Sequence, residues 1–326
     1  MSIKHTIINS SQPLFAFVRK SIPEVVVHGI VHIKRQGQEP TGHNLMTQVV
    51  GRSLLKPWQF LASHVSGRER FWSMGLASHS SQSIHVENLE LLAKAASSGE
   101  SELFCPRSFP MDSLLAAKMQ LSGERPSRMQ HPCSGKHLVM LASCHTHGYD
   151  PDSYFDVDHP IQKKLQAKVG QLLDEKPTWV LDSCGLPTLS ATVRSHMHMW
   201  EKMALNEDAD YVAMKDLWLQ NPVLVGGHER LDTALMEIGN GNLIVKEGAD
   251  GLLMIQSLAY SDIPAVSVLI KLASGYSSAN LAIALWSVVS REKGLPPVFD
   301  DIAEFLKSKL EKWVPGDQSL VLAPFN

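Results

Sequence analysis

Cysteine is scarce in this sequence: four in 326 residues, at Cys105, Cys133, Cys144 and Cys184. Spacing this wide does not describe a disulfide framework. Long apolar runs are also missing. None approaches the roughly 20 residues that a membrane span requires, so no transmembrane helix is expected. The stretch MSIKHTIINSSQPLF at the start has no basic segment leading into a long apolar core. No secretory signal is expected from it, and the reading is a cytoplasmic protein with reduced thiols. Charge of one sign is lacking as well. The formal net charge is -3, and no Lys/Arg cluster is interleaved with aromatics, so a nucleic-acid partner has no support. Internal repeats, low-complexity tracts and flexible linkers are absent too.

What remains is an ordinary soluble composition, 44% hydrophobic and 19% charged, long enough for one large domain or two intimate subdomains. Residues 24–34, EVVVHGIVHIK, are β-branched and read as a strand, as does LMTQVV at 45–50. SLLKPWQFLASHV (53–65) reads as a helix, with Pro57 in its first turn. Helical spacing then continues through 86–98, 111–122, 134–147 and 160–175. TWVLDS (178–183) is extended. PTLSATVRSHMHMWEKMA and DADYVAMKDLWLQN return to helix. Strands are expected again at 242–247, 252–259 and 265–274, then helices at 277–294 and 300–313. Strands at both ends and helices between them predict an α/β (α+β) fold. One intertwined unit is expected, with a sheet subdomain over about 1–52 and 222–326 and a helical insert over about 53–221.

Several residues could carry chemistry. In RSLLKPW, Ser53 and Lys56 stand three apart, so on a helix they share a face. A serine needs a base to become a nucleophile, and a lysine can be that base only when neutral. Chance alone gives about two such spacings in a chain of this composition, and Ser290–Lys293 is another. Cys133 and Cys184 flank the helical middle, in HPCSGKH and DSCGLPT. Thiolates suit zinc, with His131, His137 and Lys136 nearby, but two cysteines so far apart also fit plain packing. Cys144 and His147 read as a polar helix end. His196 and His198, at i and i+2 on a helix, cannot face one target. ASHSSQSIHVENLE (77–90) reads as helix capping. Lys271 lies in an apolar strand, which leaves it either at an edge or held in a site.

Taken together and in order, these segments resemble the bacterial L-asparaginase II family of the rhizobial type. RSLLKP, ASHS, CSGKH, DVDHP, DSCGLPT, RLDTALM, VKEGADG and the Lys271 strand all have counterparts there. The resemblance implies a fold like that of serine β-lactamases and glutaminases, and a homodimer. It implies hydrolysis of the L-asparagine side-chain amide to L-aspartate and ammonia. On matching positions it implies two Ser–Lys pairs, Ser53 with Lys56 and Ser80 with Lys271, of which Ser53 is the favoured nucleophile. Zinc is implied on Cys133, Lys136 and Cys184, with Arg52, His137 and Asp182 near the substrate. The match departs from the family at four places. Ser81-Gln82 replaces Gly-Glu, and His131-Pro132 replaces Asn-Asn. GGHER (226–230) replaces Ala-Gly-Thr-Gly-Arg, and Leu272-Ala273-Ser274 replaces Ile-Asp-Asp. Two other readings follow from these departures: an amidohydrolase for a changed amide, or a zinc-binding member without catalysis.

Overall fold

The computed structural model describes residues 6–65, 67–314 and 316–323. Residues 1–5, part of the stretch read for a leader, lie outside the described residues. The chain divides into two compact units: residues up to 50 with 191–205 and those from 235 onward, and residues 51–190 with 206–234.

The first unit is built on an antiparallel sheet. Its strands run in the order Ser319–Leu322, Gln12–Arg19, Ile22–Arg35, Val266–Leu272, Leu252–Ser257, Leu243–Gly248. The short strand Thr41–Gly42 pairs beside His32 and Ile33. Leu243–Gly248 and Leu252–Ser257 are buried at every position. This explains why they read as continuous apolar runs without alternation. Helix Val193–Leu205, inside the range expected for the helical insert, packs on strands Leu252–Ser257 and Val266–Leu272. Helix Ser278–Val289 packs on strand Val266–Leu272 and on helix Val298–Trp313. The latter buries Phe299, Ile302 and Leu306, one stripe at helical spacing.

Four elements differ from the sequence reading. Gln12–Arg19 and Ser319–Leu322 are strands that local pattern did not announce. The first pairs with its chain neighbour Ile22–Arg35 and with Ser319–Leu322, and the second pairs across the length of the chain. PTLSAT is strand Pro187–Thr192, with the helix starting only at Val193. Hairpin pairing with Thr178–Leu181 overrides its weak helical pattern. The expected second strand at 45–50 is only Gln48–Val50.

The second unit is mainly helical: Lys56–Ser63, Ser83–Ala95, Ser113–Leu121, Ser134–His147, Pro160–Gly170 and Ala209–Leu219. Helix Ser134–His147 is central. Lys56–Ser63, Ser83–Ala95 and the 3-10 segment Arg70–Leu76 all pack on it. Gly135 makes this approach possible, because a Cβ there would stand 2.2 Å from the Met74 carbonyl oxygen. Gly148, in the left-handed region at φ 66°, ends the helix as the sequence suggests. Among the described residues no helix is long and apolar enough to cross a membrane.

Candidate active site

Ser53 lies in a 3-10 turn, Arg52–Leu55, that runs directly into helix Lys56–Ser63. Arg52 is held at φ 47°, a conformation that side chains other than glycine seldom adopt and that concentrates at functional sites. Ser53 and Lys56 are both buried. They are joined through a third residue. The Lys56 ammonium donates to the Ala77 carbonyl and, at 2.9 Å, to Ser78 Oγ. Ser78 Oγ in turn lies 3.1 Å from Ser53 Oγ. Ser78 was missed by the sequence reading. The spacing in ASHS gives no reason to choose Ser78 over Ser80, since only the path of the 77–81 loop decides which hydroxyl meets the lysine.

Ser80 Oγ donates to the Gly226 carbonyl at 3.1 Å. Gly227 packs tightly against it. At φ 137° its backbone is one that L side chains avoid, and a Cβ there would stand 2.6 Å from Ser80 Oγ. Two of the departures meet at this point. Gln82 Oε1 accepts from the His228 N–H at 2.9 Å, while Gln82 Nε2 donates to Asp112 Oδ2 at 3.0 Å. A neutral amide suits this place, because a carboxylate there would face Asp112. Lys271 belongs to the first unit, where its ammonium donates to the carbonyls of Asp250 at 2.5 Å and Leu272 at 2.8 Å.

The hairpin of Thr178–Leu181 and Pro187–Thr192 closes through residues 182–186. The Asp182 N–H donates to the Leu186 carbonyl and the Gly185 N–H to that of Asp182, at 2.9 Å each. This turn carries Asp182 and Cys184. Arg52 Nε donates to Asp182 Oδ1 at 2.5 Å, and Arg52 also reaches Ser183 Oγ at 2.8 Å. Asp182 Oδ2 lies 3.9 Å from the Lys136 ammonium, whose Nζ also lies 3.4 Å from Gln59 Oε1.

Cys133, Lys136 and Cys184 come together in the interior. The Cys133 thiol is held well below its usual range by a hydrogen bond from Cys184, against the pull of burial, with the charges of Lys136 and Lys56 helping. Cys184 is pushed well up by that same hydrogen bond and by burial. Burial opposes the Lys136 ammonium, but the two sulfurs and Asp182 outweigh it and raise its pKa. Cys133 also stands at the start of helix Ser134–His147, where the positive end of the helix dipole favours a thiolate. Its own N–H donates to His131 Nδ1 at 3.0 Å. With all three deprotonated, the two sulfurs and the Lys136 amine could hold a zinc ion. Among the described residues no three His, Cys, Asp or Glu side chains group to hold a metal ion.

His137 follows Lys136 and is fully buried; burial holds its pKa well below the usual value, with Lys136 adding to the effect. Its Nδ1 lies 2.7 Å from the Tyr154 hydroxyl. The remaining cysteines stay inert. Burial pushes the thiols of Cys105 and Cys144 up to about 12 each. Cys144, near the end of helix Ser134–His147, sits 4.0 Å from His159. His79 braces the loop that carries Ser78: its Nε2 meets Ser134 Oγ at 2.8 Å, and its N–H donates to the Pro132 carbonyl. His85 closes the start of helix Ser83–Ala95 by accepting from the Gln82 N–H at 3.0 Å, which is the capping role expected of this stretch.

No curated protein matches the chain. A family model described as L-asparaginase II matches residues 16–317, most of its length.

Proposed function

Because the chain belongs to the L-asparaginase II family and is an asparaginase-type amidohydrolase, we propose that it cleaves the side-chain amide of L-asparagine through an acyl-enzyme on Ser53. The observation that carries this is the contact chain Lys56–Ser78–Ser53. With Lys56 as an ammonium, the protons in that chain point toward Ser53. With Lys56 as a neutral amine, the same contacts run the other way. Ser53 can then give its proton to Ser78 as Ser78 gives its own to Lys56. Burial is the condition that a neutral lysine requires, and Lys56 is fully buried.

The sequence of bonds is then determined. Ser53 Oγ attacks the amide carbon, and its proton reaches Lys56 through Ser78. The proton returns to the amide nitrogen as the C–N bond breaks and ammonia leaves. Water, losing a proton to Lys56, opens the ester to give L-aspartate and restores the Ser53 hydroxyl. The Arg52–Asp182 pair suits the zwitterionic end of an amino acid, with the guanidinium facing its carboxylate and Asp182 its ammonium. Cys133, Lys136 and Cys184 would hold a zinc ion, which when bound supplies positive charge and fixes the shape of this part of the site. A β-lactamase-like fold and a homodimer enter the proposal on the family resemblance alone.

The test is ammonia release from L-asparagine, with L-glutamine alongside, on protein whose zinc content is measured in the same preparation. We expect turnover of L-asparagine and near-stoichiometric zinc, with Cys184→Ser losing most of the metal. Folded protein that holds zinc and releases no ammonia would remove L-asparagine as the substrate. One observation favours a second reading within the same chemistry. The contact between Gln82 and His228 rebuilds the loop beside Ser80, so amides other than L-asparagine are the next to assay.

The second pair, Ser80 and Lys271, is proposed from the resemblance. The Ser80 hydroxyl is engaged with the Gly226 carbonyl. We therefore expect Ser80→Ala to lower kcat by less than about tenfold, the scale of one lost neutral hydrogen bond. A loss as deep as that of Ser53→Ala would place Ser80 in the reacting set.

A further inference from the structure

The hydroxyl of Tyr154 has two hydrogen-bond partners. It accepts from the Phe104 N–H at 2.8 Å and meets His137 Nδ1 at 2.7 Å. The second contact can be shared in two ways. If His137 Nδ1 carried the proton, the tyrosine oxygen would accept twice. Its own proton would then have no acceptor in a residue that is 1% exposed, and an unpaired buried donor is strongly disfavoured. If the tyrosine donates to Nδ1, every hydrogen-bonding capacity of the hydroxyl that geometry allows is used. The proton of the neutral imidazole then resides on Nε2. His137 Nε2 is buried and has no hydrogen-bond partner among the described residues. A donor held in that state calls for an acceptor from outside the chain.

The setting of this donor points to the substrate. His137 is in the first turn of helix Ser134–His147, next to Lys136, and the charges of Lys136, Cys133 and Lys56 all act on it. The Phe104 ring stacks on Phe155 at 3.6 Å and packs against Gly185, in the turn that carries Asp182 and Cys184.

We propose that Tyr154 is a positioning residue: it fixes His137 in the tautomer protonated on Nε2, so that a buried N–H faces an acceptor oxygen of the bound amino-acid amide. The proposal rests on the reading of the site given above and adds to it the residue that orients His137. In this arrangement Tyr154 touches no substrate. It acts by removing the tautomer in which Nε2 would be an acceptor and would repel an incoming oxygen.

The experiment uses the full chain with its metal, labelled with 15N at histidine. Two-bond 1H–15N correlation spectra show which ring nitrogen carries the proton, and the His137 signal is assigned by its loss in His137→Gln. The wild type is expected to show the Nε2–H form, and Tyr154→Phe a mixture with the Nδ1–H form. L-Aspartate, the reaction product, serves as the probe and is expected to shift the His137 Nε2–H resonance in the wild type. In turnover, Tyr154→Phe is expected to raise KM on the order of tenfold, with kcat within about threefold. Glutamine at 137 offers an N–H without tautomers. In the His137→Gln background, Tyr154→Phe should therefore change KM by less than about twofold, the sign of two residues acting through one contact. An Nδ1–H tautomer in the wild type overturns the proposal. So does a resonance that L-aspartate leaves unmoved, or an equal KM effect of Tyr154→Phe with and without His137. The spectra need no turnover. Failure to release ammonia from L-asparagine would sink the substrate assignment, while the tautomer and the L-aspartate titration would still decide this inference.

Discussion

Ser53→Ala is expected to stop ammonia release, with kcat falling by at least ~10³-fold, the range seen when a nucleophile is removed from a catalytic set. The structural effect should be small. The hydroxyl is buried and makes a single 3.1 Å contact with Ser78. Losing one neutral hydrogen bond costs about 1 kcal/mol, so the melting temperature should move by only a few degrees. Zinc content should not change, because none of the proposed donors touches Ser53. The assay is ammonia release, read beside a thermal melt of the same sample. Folded Ser53→Ala that retains a tenth or more of wild-type turnover would move the nucleophile elsewhere, with Ser78 and Ser80 the next to replace.

Lys56→Met separates the demands of chemistry from those of stability. Removing the proposed base should lower kcat by ~10²–10⁴-fold. The fold should respond in the opposite sense. Lys56 is fully buried at the start of helix Lys56–Ser63, and its amine is held by the Ala77 carbonyl and Ser78. Burying an amine costs several kcal/mol, which those bonds only partly offset. A methionine keeps the volume and removes that cost, at the loss of about 1 kcal/mol for the carbonyl left without this donor. We expect a melting temperature equal to or above that of the wild type. Lys56→Ala provides the contrast, because its cavity should destabilise by ~2–5 kcal/mol, as large-to-small changes in a core do. If Lys56→Met turned over at more than a tenth of the wild-type rate, the amine would not be the base. A Lys56→Met protein that melted as early as Lys56→Ala would mean that the amine is a structural strut.

The departures from the family pattern take on a physical shape in this light. Gln82 and His228 are far apart in sequence, yet one accepts a hydrogen bond from the other's backbone. Lys271, which is followed by Leu272, Ala273 and Ser274 and not by acids, donates to the carbonyls of Asp250 and Leu272. His131, in place of the usual asparagine, takes the N–H of Cys133, so the residue ahead of the proposed zinc ligand still orders the start of its helix.

By itself the sequence determined the parts that depend on local pattern. Helix Ser134–His147 could be read to the residue, because its apolar spacing is regular and Gly148 supplies the left-handed stop. The buried strands Leu243–Gly248, Leu252–Ser257 and Val266–Leu272 were legible as apolar runs cut by turns. The family followed from motifs in order, which need no geometry. Tertiary structure decided what depends on distant partners. Strand Ser319–Leu322 needed Gln12–Arg19 beside it, and PTLSAT needed the hairpin with Thr178–Leu181. Spacing brought Ser53 and Lys56 to one turn, but the fold put Ser78 between them, and nothing in ASHS marks which serine faces the lysine. Tyr154 carried no signal at all. Its role comes from a hydroxyl with one proton to give, placed by folding between the Phe104 N–H and His137 Nδ1.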